Sequence, residues 1–138
     1  MKNGMMQMML WILVIVVVGM FAYIRLAPSD PMRWHQPVAA TSDKDMAGGA
    51  VRVIAAGPDG LARADAIAQT MPRTTVLAGS VAEGRVTYIT RTKIIGFPDY
   101  TTLEQDGETL RMIARLRFGR SDMGVNSARL RQLILALE

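Results

Sequence analysis

The sequence predicts an α+β protein: a single membrane-spanning helix at the amino end, then a small two-layer domain of order βαββββα with an antiparallel sheet. Three observations carry that expectation. No charged residue occurs from Met5 to Ile24, residues 108–118 alternate apolar and basic, and Leu130, Leu133, Ile134 and Leu137 recur at helical spacing. The organisation reads as a tail over 1–4, an anchor over 5–26, a Pro/Gly juxtamembrane linker over 27–49 and an α+β domain over 50–138.

A bilayer core about 30 Å thick needs roughly 20 helical residues at about 1.5 Å each, the length of the charge-free run. Leu10, Phe21 and the aliphatic stretch Ile12–Val18 together favour insertion by about 3–5 kcal/mol. In lipid every backbone group must be paired within its own segment, so the valine-rich run takes a helix despite its poor propensity in water. Tyr23 stands where an interfacial aromatic belongs, and Pro28 and Pro31 stop the helix near Leu26–Ala27. The exit, Phe21-Ala22-Tyr23-Ile24-Arg25-Leu26-Ala27, lacks the small residues of a cleavage site, so a retained signal-anchor is expected. The chain has no cysteine, which excludes lipid attachment through a thiol and any disulfide framework. Lys2 on one flank and Arg25 and Arg33, diluted by Asp30, on the other nearly balance under the positive-inside rule.

Within the domain, Ala50–Ala56 has the β-branched content of a strand, and Gly57-Pro58-Asp59-Gly60 is a turn. Asp59 is placed to cap a helix over Leu61–Thr70, whose Leu61, Ala64, Ile67, Ala68 and Met71 share one side. Strands follow at Thr74–Val81 and Arg85–Ile95, joined by the turn Ala82-Glu83-Gly84. Gly96-Phe97-Pro98-Asp99 interrupts before Tyr100–Glu104, and Asp106-Gly107 is a hairpin signal leading into Glu108–Phe118. In that last strand Leu110, Met112, Ala114, Leu116 and Phe118 point one way and Arg111, Arg115 and Arg117 the other, so one face is buried and one wet. A closing helix from about Asn126 covers the apolar face.

Lysine and arginine total 16 against 12 acids, a net charge of +4. With Lys2 and Arg25 set aside the excess is about two, too small for a phosphate-binding surface by itself, so nucleic acid is not an expected partner. His35 is the only histidine, and one His without cysteine makes neither a Cys–His pair nor a closed zinc site. The glycines lack both Walker and dinucleotide spacing. No catalytic constellation, metal or cofactor is expected. Arg33-Trp34-His35 reads as an interfacial cluster touching headgroups or a partner helix. The densest segment is Arg115-Leu-Arg117-Phe-Gly119-Arg120-Ser121-Asp122-Met-Gly124-Val-Asn126. Asp122 and Asn126 can serve as caps there, or the helix start can join Arg115, Arg117 and Arg120 in an anion pocket.

The motif Gly119-x-Ser121-Asp122-x-Gly124-x-Asn126-x-x-Arg129, with Phe97-Pro98-Asp99 upstream, resembles DUF1499, a domain family of unknown function. The resemblance runs from about Val51 to Leu137. The family shows Arg-Ser-x-Ser-Arg before the turn, and this chain departs from it with Ile113-Ala114-Arg115-Leu116-Arg117. The resemblance implies an extracytoplasmic domain and candidate positions, but no reaction. The expectation is therefore a single-pass inner-membrane protein of the cell envelope, its carboxyl domain periplasmic. That domain would bind an anionic lipid or a membrane-protein partner without catalysis, through Arg115, Arg117, Arg120, Ser121, Asp122 and Asn126. The alternatives are an accessory subunit of a larger membrane complex, docking through Arg33, Trp34 and His35, or a hydrolase or transferase using Asp122 or Asp99.

Overall fold

Helix α1 runs unbroken from Lys2 to Leu26 in the structure, a computed structural model that describes residues 2–138. It is long and apolar enough to cross a membrane, and Ile24 is its only buried residue. It stops where the prolines require: the Ala27 amide still donates to Tyr23 O at 2.8 Å, and Pro28 has no N–H to continue the ladder.

The segment expected as a linker is built onto the domain. Asp30 Oδ1 accepts the Met32 amide at 2.9 Å and Pro31 takes the first helical position, nucleating the single turn α2, Pro31–Trp34. Strand β1, Lys44–Met46, then pairs with β2, Gly49–Ala55, and supplies a strand beyond the five expected. Its register places Asp45 beside Arg52, which bonds the Asp45 carboxylate at 2.7 Å. Helix α3 (Gly60–Ala68), the strands β3 (Thr74–Ser80), β4 (Arg85–Arg91), β5 (Pro98–Asp106) and β6 (Thr109–Leu116), and helix α4 (Val125–Leu137) complete the α+β fold. The six strands lie in the order β1-β2-β6-β5-β4-β3, every pair antiparallel. Short turns make β3 to β6 a meander, and α3 carries the chain across the sheet between β2 and β3.

Alternation decides which face α3 and α4 cover. The registers Val86↔Leu103 and Leu103↔Met112 bring these side chains into one row. Leu110, Met112 and Ala114 are fully buried against Leu61, Ala64, Leu130 and Leu133, as the periodicities require. Tyr88 adds a polar tie, its hydroxyl donating to Asp65 Oδ1 of α3 at 2.5 Å. Burial, reinforced by that carboxylate, pushes the phenol above its ordinary value.

Local expectations fail where long-range partners intervene. Asp59 makes no capping bond and pairs with Arg63 at 3.3 Å; the orphan amide of Leu61 donates to Gln105 Oε1 at 2.8 Å. Strand β4 ends at Arg91 rather than Ile95, because Thr92 Oγ1 accepts the amides of Gly96 and Phe97 at 3.1 and 2.9 Å and rolls 92–97 into a loop. Pairing with β4, through Arg91↔Pro98, extends β5 back to Pro98.

The second face of the sheet is not left wet. Trp34 stacks on Tyr100 with ring centroids 4.0 Å apart and 14° between planes, and Trp34 and Val38 are 6% and 3% exposed. Ser29 Oγ and the Tyr100 hydroxyl lie 2.6 Å apart. His35 Nδ1 lies 2.8 Å from Thr87 Oγ1, which in turn lies 2.8 Å from Thr102 Oγ1. Gly79 holds φ +84°, and a Cβ there would collide with Arg85 O and stand 2.6 Å from His35 Cε1, so glycine serves both the strand pairing and the seat of His35. Gly79→Ala is therefore expected to cost about 1–3 kcal/mol, in backbone strain and in displacement of the strap formed by residues 28–38. Urea unfolding of the full chain in neutral detergent, followed by circular dichroism, measures it; an unchanged midpoint contradicts this packing.

Candidate anion-binding cavity

The residues singled out in the sequence lie in three separate places. Arg115 on β6 and Arg117 just beyond its end meet the strap at residues 28–38. The Arg115 guanidinium carbon is 4.9 Å from the Trp34 ring centroid, and that of Arg33 is 4.8 Å from it. Burial, then the neighbouring Arg33 charge, holds Arg115 below its ordinary value. Arg117 donates to Pro28 O at 3.0 Å and to the Tyr100 hydroxyl at 3.1 Å, so it ties the strap down. Ser121 and Asp122 serve their own turn. Ser121 Oγ accepts the Met123 amide, and Asp122 accepts those of Gly124 at 2.9 Å and Asn126 at 3.1 Å, capping α4. Arg120 is exposed beside them. Asn126 is fully buried, its Oδ1 accepting from Arg129, which pairs with the buried Asp99 at 3.3 Å. Desolvation raises Asp99 above the usual carboxylate value, and the Arg129 charge partly opposes it. Asp99 borders a hollow of about 200 Å³ with Phe97, Phe118, Ser121 and Asp122.

A larger concavity forms where α1 meets the sheet. Antiparallel order brings the start of β3, the end of β4 and the loop 92–97 to the end of the domain from which α1 leaves. Between them lies a cavity of about 570 Å³ lined by Arg25, Arg73, Arg91 and Lys93 with Thr74, Thr75 and Thr92. Backbone carbonyls position the guanidinium groups. Arg25 donates to Ile94 O at 2.7 Å and Ile95 O at 3.0 Å, Arg73 to Arg91 O at 2.9 Å, and Arg91 to Gly96 O at 3.0 Å. A carbonyl dipole orients a cation without cancelling its charge, so the field in the cavity stays positive.

Pairing elsewhere sharpens the contrast. Arg52, Arg63, Arg85, Arg111 and Arg129 each meet a carboxylate. Among the described residues, none of the four cavity cations has a carboxylate within ion-pair distance, and no acidic residue lines the cavity. Two backbone features serve this arrangement. Gly96 has φ +82°, and a Cβ on it would come within 3.2 Å of Arg25 Nε, so glycine lets the guanidinium reach the loop carbonyls. Arg73 holds φ 55°, a left-handed conformation that costs an L-residue about 1–2 kcal/mol.

Sequence reasoning used Arg25 only as a topology flank and passed over Arg73, Arg91 and Lys93. No spacing links these positions, because strand direction alone brings them together. The cue available in the sequence was that the entry to β3 carries Arg73 and the exit from β4 carries Arg91 and Lys93.

The family model described as "Protein of unknown function (DUF1499)" matches residues 24–137, a span that takes in the strap as well as the sheet and both domain helices. No curated protein and no solved structure matches the chain.

Proposed function

Because the chain belongs to the DUF1499 family, whose function is unknown, we propose its role from the cavity: a single-pass inner-membrane protein whose domain binds an anionic group at the membrane surface without transforming it. The observation that carries this reading is the group of four cations around one cavity, none paired with a carboxylate among the described residues. Phosphate or carboxylate oxygens are the complementary chemistry, since guanidinium N–H groups and threonine hydroxyls donate to both. Membrane location rests on the length and apolarity of α1. The periplasmic side is taken from the exported character that the resemblance implies.

A catalytic role for Asp122 is disfavoured because both its oxygens accept amides of its own turn. Asp99 is paired with Arg129 and does not line the cation-rich cavity. The subunit reading loses its aromatic contact, since Trp34 is committed to Tyr100.

Lys93 is exposed, so its charge can be reversed without disturbing the core. In neutral detergent micelles, full-length protein titrated with sodium phosphate is expected to show saturable NMR shifts at the Arg25 and Arg73 Nε–H groups. Lys93→Glu should weaken that binding by about tenfold or more, equivalent to at least about 1.4 kcal/mol. Absence of saturable shifts with both phosphate and citrate overturns the reading.

A further inference from the structure

The domain also touches the last turn of α1, and the residues involved say what lies against that end of the molecule. Tyr23 meets Phe118 edge-on at 6.1 Å, and Phe118 meets Phe97 at 6.4 Å. If the charge-free run fills a bilayer core of about 30 Å, Tyr23 and Ile24 mark its edge, and the two phenylalanines stand at the same depth. Leu26 and Ile94 are 80% and 83% exposed beside them. The two Arg25 bonds to Ile94 O and Ile95 O pin the loop to the helix, so its height is set by α1. Aromatic rings, bare aliphatic tips and unpaired cations at one level form the pattern of a surface that meets the headgroup layer.

The opposite end of the sheet has a different character. The turns after β3 and β5 carry Glu83 and Glu108, neither of them in an ion pair among the described residues. The domain is therefore polarised along its strands, basic and apolar toward α1, acidic away from it. An anionic surface attracts the first end and repels the second.

We infer that the domain is seated in the phospholipid headgroup layer through Leu26, Ile94, Phe97 and Phe118, with lipid phosphate occupying the cavity formed by Arg25, Arg73, Arg91 and Lys93. This rests on the anion-binding reading for the identity of the ligand, while the seating itself rests on the aromatic and aliphatic residues.

The absence of cysteine makes single-site spin labelling direct. Full-length Ile94→Cys and Glu83→Cys, each labelled and placed in nanodiscs containing anionic phospholipid, are compared by collision with oxygen and with a water-soluble nickel complex. The label at 94 is expected to favour oxygen several-fold and the label at 83 to favour nickel. Equal, water-like behaviour at both positions overturns the seating, whatever the phosphate titration in micelles shows. A second arm identifies the source of the anion. In nanodiscs, free phosphate should no longer shift the Arg73 Nε–H, because lipid already fills the cavity. Phosphate binding as strong there as in micelles overturns lipid occupancy and leaves a site for a soluble anion.

Discussion

Arg129→Ala is expected to destabilise the domain by about 3–5 kcal/mol at neutral pH, the usual cost of removing one partner from a buried ion pair. Asp99 and Arg129 are both largely shielded from water, with side chains 8% and 14% exposed. Without Arg129, the Asp99 carboxylate keeps its desolvation penalty and loses the charge that offsets it, while Asn126 Oδ1 loses its donor. The pH dependence follows from the sign. Asp99 lies above its ordinary value in the folded state, so the native domain holds this proton more tightly than the unfolded chain. The stability this contributes is present below the usual carboxylate range and is lost as pH rises through the folded value. Removing Arg129 moves that value further up and carries the loss toward neutrality. Urea unfolding in neutral detergent should thus show a deficit relative to the parent protein that is smaller near about pH 4 and larger near about pH 7. Adding Asp99→Asn to Arg129→Ala should abolish the difference between the two pH values. A deficit independent of pH in the single variant contradicts the assignment.

Trp34→Ala should cost a comparable amount, about 3–5 kcal/mol, the range for truncating a large buried aromatic. The indole is 6% exposed, lies flat on Tyr100, and has the guanidinium groups of Arg33 and Arg115 against it. Its loss removes the main apolar anchor of the strap and leaves those two arginines without the ring between them. Trp34→Phe keeps a stackable ring and should recover part of the loss. If residues 27–49 were instead a solvated linker, the alanine variant would fall within about 0.5 kcal/mol of the parent. The measurement is the urea midpoint of the full chain, together with tryptic cleavage at Lys44, which should accelerate as the strap detaches.

The strap shows why one part of the domain was legible and another was not. Leu110, Met112 and Ala114 announce themselves by alternation, and Leu130 and Leu133 by helical spacing, because each faces a continuous apolar layer and repeats the same environment. Asp106-Gly107 announces its turn because Gly107 takes φ +60°, a local backbone demand. Residues 27–49 carry no period. They pack through isolated anchors such as Trp34 and Val38, separated by prolines and charges that look like a linker when taken in order. The candidate site was legible only in part. Arg117 and Asn126 were recognised as unusual, and the structure assigns them to holding the strap and closing a buried polar cluster.

Charge shows the same division. The summed excess of basic residues is small, and on that number a nucleic-acid surface was not expected, while an anion pocket was expected at Arg115, Arg117 and Arg120. Folding divides the arginines by partner: Arg52, Arg85 and Arg111 of the sheet find carboxylates, Arg115 lies against the Trp34 ring, and Arg25, Arg73 and Arg91 at the α1 end find carbonyls. By itself, then, the sequence determined the apolar helix, most of the strands and the closing helix, because burial on one face writes a repeating local pattern. Only the tertiary structure decided that the presumed linker is a covering layer and that Arg25, Arg73, Arg91 and Lys93 share a cavity. Those facts depend on strand direction and on which cations lack an acid nearby, and neither is recorded in the spacing of residues along the chain.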